Sequence, residues 1–258
     1  MDQDREVLFP IRSGDDGDQF RIVLECANDK SFVVQKSLLT RHSDFFRACL
    51  SHDFQESKRS TIRMLDVDAD LMFLYLGFAH RQFNKTPEHG GTFGIISVAH
   101  FLHVADWTRL VKLYQLLDFL QNKELLSSAR SVLSFNILTA HIYLLAPEAD
   151  GAGVDRCFDA FARAFDTLDV DHPVQAKFRD EMVARFCEHC HWDLLVRHHH
   201  ALESHPEFVA KMSLKQAEYA ASMMQYLSES PRAREKISGL WRSKARNWDH
   251  LMRQRKSK

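Results

Sequence analysis

Residues Gln19–Val34 read QFRIVLECANDKSFVV, and they are the clearest indication of β structure in the sequence. Its first half alternates apolar and polar residues, with Ile22 and Leu24 on the same side, and a period of two is typical of a half-buried β-strand. The residues Ala27–Lys30 favour a tight turn, because Asn and Asp tolerate left-handed backbone angles. Ser31–Val34 supplies a returning strand, so the stretch predicts a β-hairpin.

The residues after this hairpin indicate short helices and one more strand. Ser43 is a candidate N-cap for a helix over Asp44–Leu50, because its hydroxyl can accept a hydrogen bond from the first helical turn. Thr61–Met64 reads as a brief strand. Asp66–Asp68 can then cap a helix in which Leu71, Leu74 and Phe78 would form the apolar side.

From Trp107 onward the sequence predicts helices. Apolar residues recur at spacings of three and four, which places them on one side of a helix. These stripes comprise Leu110, Leu113, Tyr114, Leu117 and Leu120, then Val154, Phe158, Phe161 and Phe165, then Phe178, Met182 and Phe186, and finally Leu214, Ala217, Ala221 and Met224. Breaks are expected near Pro147–Gly153, Asp171–Pro173 and Ser204–Pro206.

The composition is that of a folded protein with few turns. The chain has 258 residues, of which 45% are hydrophobic and 27% are charged, and only nine are Gly and six Pro. Low Gly and Pro content argues against a turn-rich all-β protein. The N-terminus lacks the pattern of a signal peptide, and no apolar run is long enough for a membrane span, so we expect an intracellular protein. Five scattered cysteines suggest no disulfide framework.

Several motifs of the N-terminal half, in this order, resemble the BTB/POZ domain as it occurs in fungal proteins. The motifs are the string Phe32–Leu39, the helix start Ser43–Ala48, the loop Phe54–Ser57, the strand Thr61–Met64 and the later block Leu113–Asp118. Ordered, spaced motifs are more specific than any one motif alone. The resemblance extends over residues 18–130 and implies a small sheet covered by short helices.

The resemblance also implies what this domain does. Members of the family dimerise and bind other proteins, and they have no catalytic residues and need no cofactor. Our hypothesis is that Val7, Leu8 and Phe9, together with the first part of the domain, form a symmetric dimer contact. The sequence thus predicts a protein-binding scaffold and not an enzyme.

A narrower hypothesis concerns Phe54 and Glu56. In ubiquitin-ligase adaptors of the family, an apolar residue, any residue and Glu in this loop insert into a cullin scaffold, with the apolar side chain as the buried contact. Phe54 and Glu56 match that pattern. The alternative is that Phe54 covers the domain's own core and Glu56 caps the next helical turn.

A zinc site is the alternative interpretation of a cluster in the C-terminal half. Cys187, His189, Cys190 and His191, followed by His198–His200, are residues of the kind that bind zinc. The spacing of the two cysteines also fits an apolar helix stripe, on which the thiols are buried hydrophobes. We therefore predict no metal site, with the histidines as solvated polar positions.

The end of the chain is basic, although the whole chain has a formal net charge of −1. Residues 232–258 contain ten Lys and Arg but only two acidic residues. In a helix, Ile237, Leu240, Trp241 and Trp248 would share one side. This segment could contact nucleic acid, or it could place its tryptophans on the helical region and leave its charges in water.

These observations predict an α+β N-terminal BTB/POZ domain followed by an all-α region. The expected division is a flexible segment at 1–17, the BTB/POZ domain at 18–130, the helical region at 131–230 and a basic helical tail at 231–258. The predicted function is self-association and protein binding inside the cell, in the cytoplasm or nucleus, with a cullin as one candidate partner. The alternative is a nuclear regulator that contacts nucleic acid through the basic tail.

Overall fold

A computed structural model describes residues 7–8, 21–51, 55–83, 96, 101, 103–140, 151–190 and 192–229. The chain divides into two units, Met1–Phe208 and Val209–Lys258. Among the described residues, the first unit contains a small sheet and most of the helices, and the second contains the larger part of one long helix. None of the helices in the described ranges is long and apolar enough to cross a membrane.

The sheet has four described strands, in the order β1-β3-β2-β4. They are β1 (Val7–Leu8), β2 (Arg21–Cys26), β3 (Ser31–Gln35) and β4 (Thr61–Met64). Strands β2 and β3 are antiparallel, with Leu24 opposite Phe32, which confirms the predicted hairpin. Strand β1 runs parallel to β3, and β4 runs parallel to β2. Ile22, Leu24 and Phe32 are buried, so one face of the hairpin lies on the core.

The hairpin turn has the geometry that its residues favour. Asn28 and Asp29 have φ angles of 62° and 54°, in the left-handed region. Cys26 donates its backbone N–H to Lys30 O at 2.9 Å and closes the turn. Because Asn and Asp tolerate this region better than most residues, the turn was predictable from sequence.

Six helices follow within the N-terminal part. They are α1 (Lys36–His42), α2 (Asp44–Leu50), α3 (Gln55–Arg59), α4 (Ala69–Phe83), α5 (Trp107–Phe119) and α6 (Lys123–Leu138). The Ser43 hydroxyl accepts a hydrogen bond from Phe46 N at 3.2 Å, and Asp68 Oδ1 accepts one from Leu71 N at 3.0 Å. Both predicted N-terminal caps are therefore confirmed.

The buried side of α4 differs from the predicted one. Of the three predicted residues, Phe78 is buried, but Leu71 and Leu74 are only partly buried, and Met72 and Leu76 are fully buried instead. This side is rotated by roughly one residue, about 100°, from the predicted stripe. The sequence was ambiguous because α4 is apolar on most of its circumference, and only its packing in the fold selects the side.

Four helices form the C-terminal half of the described chain. They are α7 (Gly151–Thr167), α8 (Pro173–His189), α9 (Trp192–His198) and α10 (Pro206–Glu229). Short 3-10 turns lie at Ala27–Asp29, Val104–Asp106 and His199–Leu202. Helices α8 and α10 begin at Pro173 and Pro206, so the two breaks expected there are confirmed. Proline at the first helical position is favourable, because its missing N–H would have had no partner there.

Aromatic side chains connect the N-terminal part to the helices that follow it. Trp107 on α5 is fully buried, and its ring lies 5.4 Å from that of Phe161 on α7. The Phe161 ring in turn lies 5.5 Å from Phe186 and 5.9 Å from Phe208. Such ring pairs add to the free energy of burial. The sheet-containing part and helices α7 and α8 therefore share one hydrophobic core, and the fold is α+β followed by helices, as predicted.

Two residues of the segment 1–17, which was expected to be flexible, are part of the sheet. Val7 pairs with Phe32, and Leu8 pairs with Val33. The pairing exists because β3 would otherwise leave its outer edge open, and a short apolar strand can fill that edge. A two-residue strand is too short for a pattern of alternation to reveal it from sequence.

Candidate protein-binding surface

Helix α2 buries one of its two adjacent phenylalanines and leaves the other near the surface. Phe46 is fully buried and lies 6.3 Å, ring to ring, from the buried Tyr75 of α4. Phe45 is only partly buried, and its ring lies edge-on to that of Phe46 at 5.3 Å. Neighbouring residues in a helix point about 100° apart, so Phe46 packs the helix on the core while Phe45 faces outward.

Phe45 contacts a second aromatic residue, Phe119 at the end of α5. The two ring centroids are 4.9 Å apart, and Phe119 is 56% exposed. A partly exposed pair of aromatic rings is a suitable contact for another protein, because Phe contributes large apolar area at interfaces. Phe119 was not among the site residues predicted from the sequence. The available signal was its position roughly 180° around the helix from Leu110, away from the buried stripe.

Charged residues border this aromatic pair. Asp44, in the first turn of α2, is paired with Arg47 at 2.7 Å and with Lys123 at 3.3 Å. All three side chains are exposed, so these ion pairs contribute little to stability. They give the surface around Phe45 and Phe119 a polar rim, the arrangement found at many protein interfaces.

Glu56 lies in the first turn of α3, and its side chain is partly exposed. Burial raises the pKa of the Cys49 thiol on α2, and the Glu56 carboxylate raises it further. Lys36 Nζ donates a hydrogen bond to Leu50 O at 2.9 Å, and this bond holds the C-terminal end of α2. Phe54, the other residue of the predicted pair, lies outside the described residues.

The structure does not bring the two predicted sites together. Val7 and Leu8 form β1, one end strand of the described sheet, and Phe9 lies outside the described residues. Helix α3, with Glu56, ends two residues before β4, the end strand at the opposite edge. One edge of the sheet is therefore next to the predicted dimer contact, and the other is next to the predicted partner site.

Two histidines of the cluster considered as a zinc site lie against the carboxylate of Asp155. His198 Nδ1 lies 2.8 Å from Asp155 Oδ1, and His200 Nε2 lies 3.3 Å from the same oxygen. The hydrogen bond with His198 lowers the pKa of the Asp155 carboxyl. Within the ranges that the structure describes, no group of three His, Cys, Asp or Glu is arranged to hold a metal ion. His191 lies outside those ranges.

Burial makes the cysteines poor candidates for nucleophiles. Desolvation raises the pKa of the Cys26 thiol to about 11 and that of Cys190 to about 12. Only the thiolate is a good nucleophile or metal ligand, and at neutral pH these two groups are almost fully protonated. Cys26 lies in the sheet and Cys190 at the end of α8, so both positions are explained by packing.

Comparison with known families identifies the domain that these elements form. The BTB/POZ domain family matches residues 14–134. This range includes strands β2, β3 and β4 and helices α1 to α5. No curated protein matches the chain. The family consists of protein–protein interaction and adaptor modules, in agreement with an exterior built from exposed aromatic and charged side chains. A BTB/POZ domain is therefore detected at residues 14–134, just under half of the chain.

Proposed function

We propose that this chain is a non-enzymatic intracellular adaptor that self-associates through its BTB/POZ domain and binds a protein partner through Phe54 and Glu56. The observation that supports this proposal is the match of the BTB/POZ family to residues 14–134, on the sheet and helices described above. We further propose that the domain is of the fungal type, because of the order of its motifs.

The position of β1 supports the self-association surface. An end strand presents backbone N–H and C=O groups on its outer side, and such groups readily pair with a strand of another chain. Val7 and Leu8 form that strand, parallel to β3. A symmetric contact through β1 would add a strand from each copy to the sheet of the other.

Light scattering coupled to size-exclusion chromatography tests this surface on the full chain. We expect the wild type to elute as a dimer and a Val7→Arg/Leu8→Arg variant to elute as a monomer at the same concentration. Val196→Arg is the matched control, because Val196 is an exposed apolar residue on α9, outside the BTB/POZ domain. A monomeric wild type, or a variant as dimeric as the control, would contradict the proposed contact.

The position of Glu56 supports the partner surface. Its carboxylate is partly exposed on a short helix beside the exposed side chains of Lys58 and Arg59. A partner that buries Phe54 and pairs with Glu56 would gain an apolar contact and a charge-assisted hydrogen bond at one place. The family resemblance makes the N-terminal domain of a cullin the first partner to test.

Capture of a purified cullin N-terminal domain by the immobilised full chain tests this role. We expect Phe54→Ala and Glu56→Lys each to reduce capture by roughly tenfold or more, the loss typical of a central interface residue. Asp70→Lys is the matched control, because it makes the same change of charge at a carboxylate whose side chain is 78% exposed. Equal capture by all four proteins would exclude these residues, and no capture by the wild type would exclude a cullin.

A further inference from the structure

A segment rich in histidine follows α8 and lies against α7. It consists of α9, the 3-10 turn His199–Leu202 and the residues up to His205, and we call residues 192–205 the α9 segment. Both α9 and the 3-10 turn contact α7. Leu195 and Leu202 are buried and attach the segment to the core. The segment also makes polar contacts with α7, and these come from its histidines.

Three carboxylates lie in a row on one side of α7. Asp155, Asp159 and Asp166 are separated by four and seven residues, which places them on the same side of a helix. His198 Nδ1 lies 2.8 Å from Asp155 Oδ1, and His205 Nδ1 lies 2.6 Å from Asp166 Oδ2. These two carboxylates are about three helical turns apart, or about 16 Å. Histidine–carboxylate contacts therefore join the α9 segment to α7 at two separate points.

Both ring nitrogens of His205 face carboxylates. Besides the contact of Nδ1 with Asp166, Nε2 lies 3.3 Å from Asp159 Oδ1. His205 is 7% exposed, so water has little access to its ring. A neutral imidazole has only one N–H, and an ionised carboxylate can only accept hydrogen bonds. Both contacts are hydrogen bonds only if the three groups hold one extra proton, and the imidazole is the most basic of them. The geometry thus favours an imidazolium with a proton on each nitrogen.

The charges around His205 also favour a positive imidazole. Arg163, whose side chain is 61% exposed, pairs with Asp159. With Asp166, this gives two carboxylates and one guanidinium, so a doubly protonated imidazole brings the charges into balance, two negative and two positive. A neutral imidazole would leave one negative charge in excess.

Two further carboxylates flank His205 in the sequence. Glu203 is exposed, so water screens its charge. Glu207, in the first turn of α10, pairs with Arg179 on α8. The charge state of His205 is therefore set mainly by the two carboxylates in contact with its ring.

We propose that His205 is a pH-dependent contact that holds the α9 segment on α7 while both of its ring nitrogens are protonated. Loss of one proton turns one hydrogen bond into a contact between two acceptors, a nitrogen lone pair and a carboxylate oxygen. The closed segment therefore binds the proton more tightly than a segment released into water. By linkage, protonation of the imidazole favours closure, and this contribution is lost as the pH rises and the imidazole is deprotonated.

Release of the α9 segment would uncover aromatic side chains. The ring of His198 lies 6.3 Å from that of Phe158, which is 1% exposed. The Phe158 ring in turn lies 5.2 Å from that of Phe186 on α8. Exposed apolar surface of this kind is typical of interaction sites. The contact at His205 would thus make the exposure of these rings depend on pH.

NMR of the full chain, isotopically labelled at its histidine nitrogens, tests the proton count. The two ring nitrogens have similar chemical shifts when both are protonated and widely different shifts when only one is. At about pH 7.5, roughly one unit above the ordinary pKa of histidine, we expect similar shifts for His205 and the neutral pattern for the exposed His199. His205→Gln identifies the His205 signals by their loss. A neutral pattern for His205 in the wild type would overturn the proposal.

Asp159→Asn separates the proton from the packing. The new amide can donate to a neutral Nε2, so the α9 segment should stay closed without the second proton, and the His205 signals should take the neutral pattern. Asp70→Asn is the matched control, because it makes the same change at a side chain that is 78% exposed, and it should keep the wild-type pattern. A doubly protonated His205 in Asp159→Asn would contradict the proposed role of the carboxylates.

Hydrogen exchange of the same proteins measures closure over the pH interval in which the His205 signals change. The readout is the protection of peptides from residues 192–205, corrected for the intrinsic pH dependence of exchange. We expect protection in the wild type to fall roughly tenfold or more as the pH rises, the effect of one lost hydrogen bond to a charged group. Protection in Asp159→Asn should stay constant. Constant protection in the wild type, or an equal fall in both proteins, would overturn the proposal.

Discussion

At the scale of single residues, Ser43 joins two parts of the BTB/POZ domain. Its hydroxyl is fully buried, accepts a hydrogen bond from Phe46 N and donates one to Leu120 O at 2.6 Å. We expect Ser43→Ala to destabilise the protein by about 1–3 kcal/mol, because it removes a helix cap and leaves a buried carbonyl without its donor. Urea unfolding measures this loss. Ser51→Ala is the control, because the Ser51 hydroxyl bonds to Ala48 O near the surface, and a loss as large there would contradict the argument.

His42 makes stability depend on pH. Burial lowers the pKa of its imidazole, the neighbouring Arg41 lowers it further, and its buried Nε2 has no hydrogen-bond partner among the described residues. The unfolded chain takes up this proton near pH 6.5, at a higher pH than the folded chain. The folded state is therefore favoured above that pH, and this contribution is lost as the pH falls through the folded pKa.

Replacement of His42 should remove this contribution. We expect His42→Gln to lose less stability than the wild type when the pH is lowered from about 7.5 to about 5.5, the range in which an ordinary histidine titrates. Urea unfolding at both pH values measures the difference. His199→Gln, at an exposed position, should keep the wild-type dependence. Parallel pH dependence in all three proteins would show that His42 is not responsible.

At the scale of helices, Arg179 on α8 connects three elements. It is 3% exposed, donates from Nη1 to Leu168 O at 2.8 Å after the end of α7, and pairs with Glu207 in the first turn of α10. Its guanidinium also lies 4.1 Å from the centre of the Phe165 ring. The contact with an aromatic face adds a cation–π interaction to the ion pair.

Loss of this arginine should be costly. We expect Arg179→Ala to destabilise the protein by about 1–3 kcal/mol, because it leaves the buried Leu168 carbonyl without its donor, whereas Glu207 is 54% exposed and can be solvated by water. Arg163→Ala is the matched control. Arg163 pairs with Asp159 on the exposed side of α7, so its loss should cost under about 1 kcal/mol. Thermal unfolding compares the two, and similar shifts would show that Arg179 is not a structural link.

The elements also show what the sequence could predict. The hairpin turn at Asn28, the cap at Ser43 and the helix start at Pro173 were predictable, because each depends on the conformational preference of a few adjacent residues. Strand β1 and the contact of Phe119 were not, because each depends on residues far away in the sequence. The contact between Phe119 and Phe45 brings together two helices separated by most of the BTB/POZ domain.

The candidate site, too, was only partly predictable from the sequence. Phe54 and Glu56 were predicted from their match to a family motif, and the structure adds that Glu56 lies in the first turn of the short helix α3. The motif could not show that β1 lies at the edge of the sheet opposite to β4, the strand that follows Glu56. That separation matters for the proposed function, because a copy of the chain and a different partner would need separate surfaces.

At the scale of the whole molecule, the BTB/POZ match ends within a continuous core. The match stops at residue 134, inside α6, which continues to Leu138. On α5, Gln115 Nε2 donates to Thr167 O at 2.8 Å, and Trp107 packs on Phe161. Both contacts reach α7, beyond the match. The helices after the domain therefore cover a side of α5 that would otherwise be apolar and open to water.

A fragment of residues 1–140 should therefore not keep the native packing of α5. Trp107 is the only tryptophan in that fragment, which makes it a specific probe. We expect its fluorescence emission to be red-shifted and the fragment to aggregate, because the fragment lacks Phe161 and exposes large apolar side chains. The control is the full chain with Trp192, Trp241 and Trp248 replaced by Phe, in which Trp107 should emit as a buried residue. A fragment that is monomeric and emits like this control would show that the BTB/POZ domain is an independent folding unit, and that the shared core is not required for its stability.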